Sequence, residues 1–163
     1  MIEHAPADLA ELDRRLGHRV LDPDLLTRAL THSSYANEHP PLSSNEALAL
    51  IGDAALGLVV AEHVFGADPA APVGVLTPRR AELVSGANLA RWAADLGLGP
   101  LVRLGRGEDQ TGGRTRESIL ATTLEALLGA IYLEAGIPAV RRVVATLARW
   151  PEEPTGQSLQ VIG

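Results

Sequence analysis

Asn45-Glu46-Ala47-Leu48-Ala49-Leu50-Ile51-Gly52-Asp53 is the stretch that decides how this chain folds. It opens an apolar run to about Phe65 in which Leu48, Ile51, Leu56, Val59, Val60 and Val64 fall at helical spacing. Those residues wrap more than one face, so the helix is expected at the centre of a bundle, buried on several sides. Ser43 and Glu46 stand three apart ahead of it, the spacing of a capping box. Glu46 therefore reads either as the cap partner of Ser43 or as a site residue. Asp53 sits within the apolar run, where an unpaired carboxylate is costly. It reads as a site residue or as half of a buried pair with an arginine. Residues 46, 49 and 53 are spaced i, i+3 and i+7 and share one helix face.

Working outward, Ser118-Ile119-Leu120-Ala121-Thr122-Thr123-Leu124-Glu125-Ala126 lies in a second strongly apolar helix. It is expected from Glu117 to about Glu134 and is stopped by Gly136 and Pro138. Glu125, between Leu124 and Leu127, has the same two readings as Asp53. Shorter helices are expected over 7–20, after Asp22-Pro23, and from Thr77-Pro78 to about Val84. Others are expected over Ser85 to Leu96 and through Val140, Val143, Val144, Leu147 and Trp150. Pro40-Pro41 and the stretch from Gly66 to Gly74 read as breaks, and Leu101 to Arg116 as a loop. No segment reads as a strand. The expected fold is all-α, one domain over 7–150 with a frayed tail over 151–163.

Composition agrees with that reading. Apolar residues are 46% of 163 and aromatic residues only 3%, so the core is built from Ala, Leu and Val. Such side chains favour close-packed helices. No unbroken apolar run reaches the ~18 residues of a membrane span, and the N-terminus lacks the pattern of a signal peptide. With no cysteine there is no disulfide or thiolate metal site. The five histidines show no zinc-ligand spacing; His32 is expected to pack or hydrogen bond at a helix end. A soluble, cytoplasmic protein is expected. All 14 basic residues are arginines, against a net charge of −6. Nucleic-acid binding would thus need a local basic face on an acidic whole.

The two quoted runs resemble the motifs N-E-R-L-E-F-L-G-D and S-I-L-A-D-x-x-E-A of the ribonuclease III family. Leu25 to His32 is similar to the family's L-L-x-x-A-L-T-H. Leu101 to Glu108 is similar to L-x-L-G-x-G-E, and Gly112-Gly113 precedes the second motif at family spacing. The resemblance covers about Leu9 to Trp150. It implies the family's all-α endonuclease fold and metal-assisted hydrolysis of double-stranded RNA by a homodimer. By the same resemblance, Glu46, Asp53 and Glu125 are catalytic positions, with Asp53 and Glu125 holding Mg2+ or Mn2+. Leu50 takes the place of the phenylalanine that packs into the partner subunit.

The chain departs from the motifs at two metal-ligand positions, Ala49 and Thr122. Alanine supplies no oxygen, and a neutral hydroxyl is a poor replacement for carboxylate at a hard cation. The expectation is a metal bound weakly or not at all. The domain would then be catalytically impaired, acting as an RNA- or partner-binding scaffold or as a subunit paired with an active homologue. The alternative is an active, atypical double-strand endoribonuclease that enlists Glu117. Arg79, Arg80, Arg103, Arg106, Arg114 and Arg116 are the candidates for RNA contact. A ribonucleoprotein partner is a further expectation, because no stretch resembles the family's double-stranded-RNA-binding domain.

Overall fold

A computed structural model describes residues 4–151. The expected tail lies outside them, apart from Pro151. The helices are α1 (Pro6–Leu16), α2 (Pro23–Ala29), α3 (Ser33–Glu38) and α4 (Glu46–Ala67). They continue with α5 (Val73–Leu83), α6 (Gly86–Asp95), α7 (Arg106–Gln110) and α8 (Glu117–Ala148). Three-residue 3-10 turns cover Gly99–Leu101 and Gly113–Thr115. Among the described residues the only β feature is an isolated parallel bridge between Thr31 and Arg103. The fold is all-α, as expected.

α4 and α8 form the central pair, with α6 and α2 laid against α8 and α5 against α4. Leu56, Val59 and Val60 of α4 and Leu124, Leu127, Leu128 and Ile131 of α8 are fully buried between them. Both helices are long and apolar enough to cross a membrane, with mean hydropathies of 1.7 and 1.4 over their most apolar windows. Unbroken apolar runs miss this because Asp53 and Glu125 interrupt them. Here 50% and 61% of those windows are buried inside the bundle, where core packing accounts for their composition.

Several boundaries differ from expectation. α1 stops at Leu16 because Gly17, at φ 65°, turns the chain left-handed. Val20 is buried outside any helix. The Ser43–Glu46 capping box does not form. Asn45 is the N-cap of α4 without a side-chain cap bond, and its amide instead donates to the Ala29 carbonyl at 3.1 Å. The Ser44 hydroxyl meets both the Glu46 amide (3.4 Å) and its carboxylate (3.2 Å). α5 starts at Val73 and carries Pro78 inside it. α3 was not signalled by periodicity; His32 caps it by accepting from the Ser34 amide at 3.2 Å. The segment read as a loop, 101–116, contains α7 and a 3-10 turn. The second apolar helix and the final one are a single kinked α8. The break is at Gly136, at φ 75° and ψ −176°, just before Pro138.

Candidate active site

Glycine sets the geometry where α4 crosses α8. A Cβ added to Gly52 would lie 1.6 Å from the Glu125 carbonyl oxygen. One added to Gly129 would lie 2.0 Å from that of Leu48. Only bare backbones can approach this closely. The contact places Asp53, the neighbour of Gly52, opposite Glu125 itself. Glu46, Ala49, Leu50 and Asp53 of α4 and Thr122 and Glu125 of α8 line one open depression of about 490 Å³. All six are motif positions.

Asp53 and Glu46 are exposed, whereas Glu125 is half-buried and Ala49 is buried. The reading of Asp53 as a buried partner of an arginine is thus corrected: it faces solvent in the cleft, with no arginine paired to it among the described residues. Burial pushes the Glu125 carboxyl up to about 7, and the charge of Asp53 adds to the rise. Proximity to Asp53 thus raises the cost of ionising Glu125, and a cation between the two would relieve it. His32 lies near enough to feel Glu46 and Arg116, but burial dominates and holds its imidazole below the ordinary value.

Carboxylate, hydroxyl and methyl groups share the lining of the cleft. Asp53 and Glu125 lie close enough to influence each other and Glu46 lines the same cleft, while Ala49 contributes a methyl group and Thr122 a hydroxyl. Among the described residues no three His, Asp or Glu side chains converge as metal ligands would. Glu117 is not among the residues lining the cleft; its carboxylate lies beside Gly86 at the start of α6.

Most of the candidate RNA-contacting arginines are occupied within the fold. The Arg114 guanidinium donates to the carbonyls of Gly99, Pro100 and Val102 (3.1, 3.2 and 2.8 Å) and pairs with Asp109 at 2.8 Å. Arg103 lies over the Tyr35 ring, 4.4 Å from its centroid, and donates to the Thr31 and Tyr35 hydroxyls. Arg116 pairs with Glu108 and donates to Thr111. Arg79 pairs with Asp68 at 3.6 Å across exposed surface, a contact worth little. Arg106 is exposed, and only its backbone amide is engaged, by Glu38 at 2.9 Å. Arg80 is exposed and rests its Nε against the Gly57 carbonyl at 3.5 Å. Tyr35 and Glu108 thus hold two of these arginines in place. Periodicity gave no signal for Tyr35, and Glu108, though it closes the stretch similar to L-x-L-G-x-G-E, gave none of its pairing with Arg116, which is a tertiary contact.

The Ribonuclease-III-like family model matches residues 22–149. The chain belongs to the ribonuclease III-like family. Ribonuclease 3 of Thermobifida fusca is 47% identical over 143 residues, covering 88% of this chain and 59% of that protein. Ribonuclease 3 of Streptomyces coelicolor is 48% identical over 136 residues, covering 83% of this chain and 49% of that protein. This chain thus spans about half to three-fifths of the length of these curated relatives. Among solved structures, one nuclease domain of ribonuclease III from Campylobacter jejuni superposes with a TM-score of 0.79 at 36% identity. The match covers 84% of this chain and 93% of that one, whose description concerns flexibility in a region involved in dimer formation. A second structure of that nuclease domain gives a TM-score of 0.78 at 35% identity, covering 89% of this chain and 97% of that one. Within the ribonuclease III-like fold, the cleft between α4 and α8 is where both quoted motifs meet.

Proposed function

We propose that this ribonuclease III-like domain is a cytoplasmic, dimeric protein that engages double-stranded RNA and cleaves it very slowly or not at all. It serves as an RNA- or partner-binding scaffold, or pairs with an active homologue. The observation that carries the reading is the pair Ala49 and Thr122, which line the cleft beside Asp53 and Glu125. Two neutral side chains remove oxygen ligands and negative charge from the place where a hard cation would need both. Family membership supports RNA as the ligand. The exposed apolar side chains of α4, Leu50, Leu58 and Phe65, support a dimer.

The experiment is a calorimetric titration of Mg2+ into the chain and into the Ala49→Glu, Thr122→Asp double variant. The expected result is clearly tighter binding by the variant. Equal binding by both proteins would sink the proposal.

A second reading, an active atypical endoribonuclease, draws support from the retained Asp53–Glu125 pair and its mutual electrostatic influence. In that case Asp53→Asn would abolish a measurable cleavage activity. Glu117, whose carboxylate lies beside Gly86, is not among the residues lining the cleft.

A further inference from the structure

A second depression, of about 260 Å³, lies between the C-terminal half of α4 and α5. His63, Val64 and Ala67 of α4 and Arg79, Glu82 and Leu83 of α5 line it. α5 buries none of its eleven residues, although a helix of that length is marginal in water on its own. Apolar cover over Val64, Ala67 and Leu83 would supply packing that α5 lacks.

The end of α8 is fixed at the edge of this groove. The Trp150 ring stacks on that of His63, with centroids 3.5 Å apart and planes 6° from parallel. Arg141 of α8 pairs with Glu62, the chain neighbour of His63, at 2.7 Å. The chain therefore leaves α8 beside a residue that lines the groove. Residues 152–163 follow Pro151 in the sequence and lie outside the described ones. A segment of that length can reach roughly 40 Å when extended, ample for the groove. Its sequence matches the lining in kind. Glu152 and Glu153 carry charge opposite to that of Arg79, whose pair with Asp68 is long, at 3.6 Å, and exposed. Leu159 and Val161 stand two apart with Gln160 between them, the spacing that puts both on one face of an extended segment.

We infer that this groove is the docking site of the chain's own C-terminal segment, residues 152–163. The acidic pair draws Arg79 away from Asp68, and Leu159 and Val161 cover Val64, Ala67 and Leu83. The segment thereby helps to hold α5 on α4. The inference is independent of RNA binding and of the chemistry of the cleft.

The test uses the full chain. It has no cysteine, so Gly163→Cys supplies a single attachment point for a nitroxide label. Amide NMR intensities are compared with the nitroxide oxidised and reduced. The expected result is a selective loss of signal at Val64, Ala67, Glu82 and Leu83 over other surface amides. Adding Leu159→Asp and Val161→Asp should abolish that selectivity. In the chain without nitroxide, the same two substitutions should make the α5 amides exchange with solvent several-fold faster than in wild type. Uniform, weak loss along the labelled chain is the mark of a free tail and would overturn the inference, as would α5 exchange unchanged by the two aspartates. A mixture of nitroxide-labelled chain with isotope-enriched chain lacking nitroxide separates the copies. Selective loss in that mixture would place the segment of a second copy in the groove and overturn docking by the chain's own.

Discussion

Asp53 and Glu125, with Glu46 and the neutral Ala49 and Thr122 beside them, line the cleft. Glu125 is the perturbed member, its carboxyl raised to about 7 first by burial and then by Asp53. A raised carboxyl keeps its proton in the folded state at pH values where the unfolded chain has released it. The contribution of Glu125 to stability is therefore largest below its ordinary value of 4.5 and is lost as pH rises through about 7. Chemical denaturation across pH 4.5–8 should show the Glu125→Gln variant gaining stability over wild type as pH rises, and wild type falling faster. Parallel curves for the two proteins would contradict this. The six residues of the cleft were legible in the sequence because helical spacing and the two motifs fix their faces. The partners of the arginines were not. Arg103 needs Tyr35 and Arg116 needs Glu108, and such pairings are set by how distant segments pack.

The helices α4 and α8 bring the two motifs together, and their crossing depends on the Gly52–Gly129 contact. Gly52→Ala would drive a methyl group into the Glu125 backbone, 1.6 Å from its carbonyl oxygen. Backbone cannot yield as a flexible side chain does. The expected cost is on the order of 3 kcal/mol, a fall in Tm of roughly 6–12 °C for a chain of this size. A thermal melt within a degree or two of wild type would show that the helices can separate at no cost. Long helices with sustained apolar periodicity were readable from sequence. The short ones, α3 and α7, were not, since six and five residues cannot sustain a helix alone. They are held by contacts such as the His32 cap and the bond from the Gly105 amide to Ser34 Oγ, at 2.9 Å. Gly52 itself sat in plain view in the first motif, but its role depends on which helix crosses it.

At the scale of the whole molecule, apolar surface is left on one side of α4. Leu50 is 74% exposed, Leu58 and Phe65 are 52% exposed, and Val73 at the start of α5 is 75% exposed. Such a face is expected to meet a second subunit, and Leu50 adjoins the cleft, so pairing would complete its surroundings. Light scattering on a size-exclusion column should find wild type as a dimer and Leu50→Asp as a folded monomer. A monomeric wild type would contradict pairing through this face. With its carboxylate set reduced at Ala49 and Thr122, this fold is proposed to lack effective RNA hydrolysis. The most direct test is cleavage of a labelled RNA duplex with protein in large excess, in Mg2+ and then Mn2+, beside an Asp53→Asn control. No cleavage above that control is expected in either metal, from a protein that is folded and dimeric. Cleavage by wild type that Asp53→Asn abolishes would contradict it, and would make this domain a nuclease that works with half the family's ligands.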